Sequence, residues 1–439
     1  MLDRTETQES QWPEADRRIE PRPKTGEAPF ELDEVFFSRT DERGVIQAGN
    51  YVFRRVAHYE WDDLIGAPHK LVRHKDMPRG VFWLLWDTIQ RGTPVGAYVK
   101  NRAKDGLHYW VFASVVPCDG GYLSARIKPT STLFKAVVAE YAALLKREQA
   151  EDLSPEESGH ILLGRLQALG FEDYQKFEAH ALSEELLARE RGLKQTENPD
   201  ILRHRHMLEA AVKLKTATDT LVREFETVKI IPHNMRAIAS RLEPTGGPFR
   251  TLSGDYGKMS TDISDWFESN VVGEDSNFSA ISSSVNRSMF LDGLTNIMDE
   301  CDLQLQQDRR RPGESDIDAE RATLARLADH YRVISRDSEA TVQREAERIL
   351  AACAQMQRHI LSLRTTRVLC KIESARMGAA GVGLEDIIGQ LGRFQENIND
   401  HLNVVQNLSE EIRRLVAMAQ AGRRPASNGP GGRIVAAEH

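Results

Sequence analysis

Short alternating runs of apolar and polar residues fill the chain from residue 30 to about 128. The runs EVFFSRT and GVIQAGN flank a polar turn at 41–44 and predict two short strands. Three more strands are predicted within PVGAYVKNRAKDGLHYWVFASVVPCDGGYLSARIK, where the sequences at 104–106 and 119–121 are typical hairpin turns. Two strands, then helices, then three strands indicate an α+β fold, a five-stranded antiparallel sheet with helices.

Between the two groups of strands the apolar residues take the spacing of helices. Short helical pieces are predicted over 51–64, and a longer helix follows them. We expect Asp76 to cap this longer helix and Gly92 to end it. Phe82 and Trp86 then lie one turn apart on the same helical face.

From residue 129 onwards Ala, Leu, Glu, Arg and Gln dominate, and the pattern predicts an all-α region. A helix over 131–149 leaves the sheet, with the stripe Val137, Tyr141 and Leu144 along one side. We expect this helix to connect the α+β domain to the helical region almost without a break and to act as its output helix. Two further helices are predicted before residue 200.

The helical region contains an internal repeat with an offset of 135 residues. Seven positions in each copy, nearly all apolar, follow the same spacing of four and three. They are Met207, Ala211, Leu214, Thr218, Leu221, Phe225 and Val228 in the first copy, and Val342, Ala346, Ile349, Cys353, Met356, Ile360 and Leu363 in the second. We expect the two copies to superpose as helical units and to bury these stripes.

Each stripe leads into a similar segment, in which Arg241 matches Arg376 and Gly246 matches Gly381. If these segments are turns, each copy is a helical hairpin and the two copies close a four-helix bundle or coiled coil. If the second copy runs straight through, it forms a long arm that needs a partner chain. A generic bundle, in which Arg and Gly match by chance, is the third alternative.

These patterns divide the chain into seven parts. They are a disordered N-terminus (1–29), the α+β domain (30–128), an output helix with connecting helices (129–200), helical repeat 1 (201–270), a linker with a helix (271–335), helical repeat 2 (336–420) and a disordered tail (421–439).

Charge and composition exclude several classes of protein. The formal net charge of −8 argues against a broad nucleic-acid-binding surface. The four cysteines form no CxxC pair, so we expect reduced thiols, no metal site and a cytoplasmic location. No apolar run approaches the roughly 20 residues of a transmembrane helix. Without a P-loop or other recognisable catalytic motif, we expect no catalytic residues and no enzyme.

The candidate chemistry lies in four short stretches of the α+β domain. They are AGN at 48–50, GAPHKLVRHKDMP at 66–78, Trp86, and VKNRAKDGLHYWV at 99–111. Through these motifs residues 36–117 resemble the PAS sensor domains of the aerotaxis-receptor family. The resemblance implies a PAS fold, a non-covalent FAD and sensing of the redox state of respiration. It also implies that the flavin is bound by Asn50, Arg73, His74, Asp76, Trp86 and Asn101.

The residue types agree with that implication. A flavin ring needs an apolar slot with a few polar groups at its edge, and the amides of Asn50 and Asn101 offer donor and acceptor together. Arg73 can hold a diphosphate through its planar fork, while Trp86 closes the slot.

Two alternatives remain for this domain. Arg73 and Asp76 can simply pair beside an ordinary aromatic core with an empty pocket. Haem is the rival ligand, because the domain also carries His58, His69, His74 and His108.

A second resemblance concerns the later repeat. The sequence IESARMGAAGVGL, 372–384, resembles the signalling hairpin of chemoreceptors, although the usual hairpin-tip sequence is not intact. It implies a chemotaxis histidine kinase and its coupling protein as partners, and a homodimer. The sequence thus predicts a soluble redox or oxygen sensor for energy taxis. A non-chemotactic scaffold protein and a haem-based gas sensor are the alternatives.

Overall fold

The computed structural model describes residues 22–228, 248–270, 276–307, 316–377 and 382–422, together with isolated positions between 233 and 240. These residues form two compact units. Unit 1 takes the chain up to Thr196 together with Gly293–Asp329, and unit 2 takes Glu197–Asp292 together with the chain from His330 onwards. The sevenfold division drawn from the sequence stays a prediction.

Unit 1 is built around one five-stranded antiparallel sheet. Its strands are β1 (Phe36–Asp41), β2 (Ile46–Gly49), β3 (Val95–Arg102), β4 (His108–Cys118) and β5 (Gly121–Ile127). Their order across the sheet is β2-β1-β5-β4-β3, so the two N-terminal strands pair with the last strand. The predicted α+β class and the five predicted strands are confirmed.

Helices cover both faces of the sheet. Between β2 and β3 lie α1 (Tyr51–Ala57), α2 (Trp61–Leu64), a short 3-10 helix (His69–Val72) and α3 (Arg79–Gln90), and after β5 come α4 (Thr132–Glu151), α5 (Pro155–Ala168) and α6 (Tyr174–Gly192). The Tyr98 hydroxyl on β3 donates to Glu185 of α6 at 2.8 Å, and the Tyr98 ring stacks on Phe134 of α4. Helices α4 and α6 therefore cover the face opposite to α3, whereas α5 packs against α3 itself.

The start of α3 differs from the expectation that Asp76 caps it. The residue at the N-cap position is Pro78, whose side chain makes no capping hydrogen bond. The Asp76 carboxylate, two residues earlier, instead accepts from Lys100 at 3.1 Å. Glu148 of α4 reaches across and accepts from the Gly80 N–H at 3.2 Å. The helix ends as predicted at Gly92, whose φ is +81°.

The expectation that α4 runs on into the helical region is wrong. The helix ends at Asp152, whose φ is +48°, and Ser154 and Glu157 form a capping box that starts α5. Pro155 at the first turn of α5 lacks the N–H that a continuous helix would need. The stripe that includes Val137 and Tyr141 is buried within unit 1.

Unit 2 is entirely helical in the part that is described. Its helices are α7 (Pro199–Val228), α8 (Pro248–Asn270), the first part of α9 (Asn277–Gln307), most of α10 (Ile317–Met377), and α11 (Val382–Gly422). Residues 293–307 and 317–329 of α9 and α10 belong to unit 1. None of the helices that the structure describes is both long enough and apolar enough to cross a membrane.

The repeated stripes form the core of unit 2. All seven positions of the second copy are buried, and so are the first five of the first copy; the side chains of Phe225 and Val228 lie outside the described residues. Apart from Thr218, these buried positions belong to one apolar cluster, which also includes Leu391 and Phe394 of α11. The prediction that both stripes are buried is confirmed at every stripe position whose side chain the structure describes.

The second copy is a helical hairpin rather than a straight arm. The side chain of Gln357 contacts Gln406 at 3.2 Å, and that of Gln343 contacts Gln420 at 3.3 Å. Because the lower number in α10 pairs with the higher number in α11, the two helices are antiparallel. Superposition of the copies stays a prediction, since Arg241, Gly246 and Gly381 lie outside the described residues.

Candidate functional site

A cavity of about 300 Å³ lies between the sheet and helix α3. Side chains alternate along a strand, so every second residue of a strand reaches the same face. The sheet wall of the cavity consists of such alternating positions. They are Ser38 and Thr40 on β1, Val99 and Asn101 on β3, Ala113 and Val115 on β4, and Tyr122, Ser124 and Arg126 on β5.

The opposite wall is apolar and comes from α3. It consists of Phe82, Leu85, Trp86 and Ile89, which recur at helical spacing. The Trp86 ring meets Tyr122 edge-on, with ring centroids 5.4 Å apart. Together the two walls form a slot with one apolar side and one polar side.

Arg126 is the most unusual residue in this cavity, because only 5% of its surface is exposed. One terminal nitrogen, Nη2, donates to the Ser38 hydroxyl at 2.9 Å, whereas Nη1 is buried without a hydrogen-bond partner. Among the described residues no carboxylate pairs with it. Burial lowers the pKa of Arg126 to about 10, which leaves it cationic at neutral pH. A buried guanidinium with a free donor is a ready site for an electron-rich ligand group.

His69 completes the polar end of the cavity. Its Nε2 lies 2.8 Å from Nη2 of Arg126. A guanidinium only donates hydrogen bonds, so Nε2 must accept and the ring proton sits on Nδ1. Burial and the nearby Arg126 charge lower the pKa of His69 to about 3, and the ring is therefore neutral.

Two further polar groups of the sheet wall face the cavity. The Ser124 hydroxyl is buried without a hydrogen-bond partner. Asn101 is 4% exposed and lines the same wall of the cavity. Buried polar groups are normally satisfied, so the Ser124 hydroxyl and Nη1 of Arg126 on this wall are available to a bound molecule.

A second, open groove adjoins the cavity and shares Pro68, Lys70 and Arg73 with it. Its other charged lining residues are Lys75, Arg79, Arg102, Glu148 and Asp152, and His74 lines it as well, so bases outnumber acids. The Arg73 guanidinium lies over the Phe82 ring, 3.8 Å from its centroid, at the junction between cavity and groove. The charged loop before α3 therefore forms a basic mouth for the cavity.

The structure brings four of the six predicted site residues to this region. Arg73, Trp86 and Asn101 line the cavity, and His74 lines the basic groove. Asp76 lies outside both lining sets and pairs with Lys100 rather than with Arg73.

Asn50 does not reach the cavity either. Its Oδ1 accepts from the N–H groups of Phe37 at 3.0 Å and Phe53 at 3.1 Å, and its Nδ2 donates to the Val35 carbonyl at 2.7 Å. These bonds cap α1 and connect it to β1. Both the oxygen and the nitrogen of the Asn50 amide therefore support the fold.

Of the four histidines considered for haem, only His69 lines the cavity, and its Nε2 faces Arg126. His58 caps the end of α1, while His74 and His108 contact each other. A nitrogen that accepts from a guanidinium has no lone pair left for an axial bond.

Sequence reasoning missed Arg126 and Ser124, and it considered His69 only as a ligand of haem. The signal for Arg126 was present, because YLSARI alternates strictly and puts Tyr122, Ser124 and Arg126 on one face of β5. An arginine on the inward face of a strand is rare enough to mark a site.

Known proteins are similar to this chain over about a quarter of its length. No family model matches the chain. The aerotaxis receptor of Escherichia coli (strain K12) is 40% identical to it over 121 residues, which cover 26% of this chain and 24% of the receptor. The chain thus spans about a quarter of the length of the curated relative that it matches.

Among solved structures, the light state of the blue-light photoreceptor Aureochrome1 LOV covers 26% of this chain and 90% of its own, at 20% identity and a TM-score of 0.20. A light-oxygen-voltage domain studied with a flavin analogue covers 27% and 89%, at 19% identity and a TM-score of 0.21. The sheet and its helices define a PAS domain. It is a PAS domain of the aerotaxis-receptor type, followed by a mostly helical region.

Proposed function

We propose that this chain is a sensor of bacterial signal transduction whose PAS cavity binds FAD and whose output follows the redox state of that flavin. The observation that carries the proposal is Arg126, a buried cation with a free donor, on the polar wall of a slot whose other wall is aromatic and aliphatic. The resemblance to aerotaxis receptors points to the same cofactor.

Each wall of the slot fits one part of a flavin. The ring system is flat and apolar on its faces, which suits the space between Trp86 and the sheet. Its edge carries carbonyl oxygens and ring nitrogens, which suit the donors of Arg126 and the amide of Asn101. When bound, a flavin supplies reversible electron transfer, and a fixed positive charge near its ring nitrogens favours the reduced form.

The basic groove favours FAD over a smaller flavin. Lys70 and Arg73 belong to both the cavity and the groove, so a ligand with its ring in the cavity can continue past them. Arg79 and Arg102 then lie where a diphosphate can be held by charge-assisted hydrogen bonds. The cluster of charge in this loop serves the polar part of the cofactor.

The signal leaves the cavity through β1 rather than through α4. Arg126 donates to Ser38 of β1, and the next residue, Arg39, pairs with Glu320 of α10 at 2.6 Å. A change of charge at the flavin edge alters the hydrogen bonds of Arg126 and shifts the population of two arrangements of β1. Helix α10 also supplies a repeated stripe to the core of unit 2.

The output is energy taxis through a chemotaxis histidine kinase and its coupling protein. The resemblance of 372–384 to a chemoreceptor signalling hairpin supports this part, as does the antiparallel pairing of α10 and α11. The signalling hairpins of chemoreceptors lie in the cytoplasm and work as dimers. We therefore propose that this chain is a cytoplasmic homodimer. The protein is then a sensor and not an enzyme.

An absorption spectrum of the purified chain tests the cofactor. We expect flavin bands, and release by denaturation should give FAD on chromatography. Arg126→Ala should lower the affinity for FAD about ten- to hundredfold, which corresponds to a loss of about 1.5–3 kcal/mol for one charge-assisted contact. Arg147→Ala is the matched control, because Arg147 is exposed on α4 and, among the residues that the structure describes, pairs with Glu151 alone.

Colourless wild-type protein that takes up no added FAD would rule out the flavin, and a sharp Soret band would assign the site to haem. The taxis output has its own test, in which a receptor-deleted strain expresses the wild type or Arg126→Ala. The wild type and Arg147→Ala should restore migration along an oxygen gradient, whereas Arg126→Ala should not. Full flavin binding without any restored migration would separate the cofactor from the proposed pathway.

A further inference from the structure

Three buried side chains with metal-binding atoms meet inside unit 2. His204 comes from α7, Asp292 from α9 and Glu339 from α10. One ligand atom from each lies within 4.8 Å of the other two. His204 is 0%, Asp292 8% and Glu339 1% exposed, so the group is closed off from bulk water. No local motif points to this group, because the three residues are 88 and 47 positions apart along the chain.

The histidine carries the argument. Both ring nitrogens of His204 are buried and make no hydrogen bond within the described part of the chain. Its Nε2 points at the two carboxylates, 3.5 Å from Oε1 of Glu339 and 3.9 Å from Oδ2 of Asp292. These distances are longer than a hydrogen bond. A fully buried imidazole that faces two carboxylates without bonding either is costly, unless something sits between them.

We propose that His204, Asp292 and Glu339 bind one divalent first-row transition-metal ion. Ligand atoms about 2.0–2.2 Å from a tetrahedral zinc ion lie roughly 3.3–3.6 Å from each other. The separation of 3.5 Å lies within this range and that of 3.9 Å lies a few tenths of an ångström above it, so small side-chain adjustments suffice. One imidazole and two carboxylates suit zinc and its neighbours, and a water molecule can fill the fourth position.

Ser335 supplies the supporting contact that such a site needs. Its hydroxyl donates to Oδ1 of Asp292 at 2.6 Å, and Ser335 is fully buried one turn before Glu339 on α10. The bond holds Asp292 so that its other oxygen, Oδ2, faces His204. Outer contacts of this kind orient a ligand and raise metal affinity.

The ion would fasten three helices of unit 2 at one point. Since a metal that binds only the folded form stabilises it, unit 2 should unfold at a higher temperature with the metal than without it. This role is independent of the PAS cavity, and it can hold whether or not a flavin is bound.

The test uses the full-length protein. The chain is dialysed against a chelator, loaded with zinc chloride, passed over a desalting column and analysed for metal by mass spectrometry. We expect one retained equivalent in the wild type and none in His204→Gln or Glu339→Gln. Ser335→Ala should retain the site with about 10- to 100-fold weaker affinity. His206→Gln is the control, because His206 is exposed two residues away on the same helix.

A second measurement distinguishes loss of the metal site from misfolding of a variant. Loading with cobalt chloride should give a saturable visible absorption band at one equivalent in the wild type and in His206→Gln. It should be absent from Glu339→Gln, whose helical circular dichroism should match that of the wild type. The proposal is overturned if the wild type retains no zinc, or if His204→Gln and Glu339→Gln retain as much zinc as His206→Gln. Arg126→Ala should keep its metal, which separates this site from the flavin proposal.

Discussion

At the scale of single residues, Asn50 offers a direct contrast between support of the fold and binding of a ligand. Its amide makes three hydrogen bonds to buried backbone groups. We expect Asn50→Ala to lower the free energy of unfolding by roughly 2–4 kcal/mol, because it removes a helix cap and leaves backbone groups unsatisfied. Urea unfolding measures the loss. The folded fraction should still bind flavin as the wild type does; loss of flavin without loss of stability would make Asn50 a ligand.

His69 gives a prediction for pH. Burial and Arg126 lower its pKa to about 3, whereas the unfolded chain titrates near 6.5. Protons then bind the unfolded state more readily, so the stability that neutral His69 provides is present above about pH 6.5 and falls as the pH drops towards 3. His69→Gln keeps an acceptor for Arg126 and does not titrate. Between pH 7 and 5.5 the wild type should lose about 1 kcal/mol more than this variant in urea unfolding. Equal losses would show that His69 is not held neutral.

The candidate site could be predicted only in part, for a physical reason that these residues show. Arg73, Trp86 and Asn101 lie in motifs that carry the family resemblance, and the structure places all three at the cavity. Asn50 and Arg126 look alike in the sequence, each a polar residue among apolar neighbours. The two residues differ in whether backbone groups lie close enough to bond their side chains. That depends on the tertiary structure, including the pairing between β1 and β5, which the sequence pattern does not show.

At the scale of elements, the crossing of α3 and α5 depends on glycine. A Cβ atom on Gly80 would lie 2.5 Å from the backbone of Ser158 and Gly159. We expect Gly80→Ala to cost about 1–3 kcal/mol, because two helix backbones must separate. Gly164→Ala is the matched control on α5, where a Cβ atom meets nothing within 4 Å, and it should gain about 0.5–1 kcal/mol. Thermal unfolding of both variants measures the difference, and similar shifts would mean that the crossing is loose.

Elements themselves were predictable wherever local signals decide them. The five strands and the helix end at Gly92 follow from alternation and turn chemistry. The cap of α3 was not predictable, because Glu148 is 68 residues from Gly80 along the chain. The two helices predicted before residue 200 are present as α5 and α6. Local signals mark the start of α5 at Ser154-Pro155, but they do not show that α4 stays within unit 1.

At the scale of the whole molecule, unit 1 contains a segment that the sequence pattern assigned elsewhere. Residues 293–329 follow the rest of unit 1 after a gap of about 100 positions in the sequence. They lie next to β1, where Cys301 contacts the Phe36 carbonyl and Glu320 pairs with Arg39. The Gln304 side chain accepts from the Val35 N–H at 3.1 Å and donates to the Asp33 carbonyl at 2.9 Å. The sequence pattern predicted that the domain ends at residue 128. It could not reveal these hydrogen bonds, because they join residues about 270 positions apart. A complete sensor unit therefore includes this returning segment.

The ion pair between Arg189 of α6 and Glu300 of α9 tests that conclusion. Its two charged groups are 2.6 Å apart, and the Arg189 side chain is only 5% exposed. Arg189 also donates to the Leu32 carbonyl at 2.8 Å, so it holds the segment before β1 as well. We expect Glu300→Ala to destabilise unit 1 by about 2 kcal/mol, because a buried guanidinium loses its counter-charge.

Asp119→Ala is the control for this change. Asp119 pairs with Arg326, which also belongs to the returning segment, but the two side chains are 83% and 58% exposed. An exposed pair contributes little, so this variant should stay within about 0.5 kcal/mol of the wild type. Tryptophan fluorescence during urea unfolding reports mainly on unit 1, which contains Trp61, Trp83, Trp86 and Trp110. If both variants unfold like the wild type, residues 293–329 add nothing to the stability of unit 1, and the sensor domain ends before them.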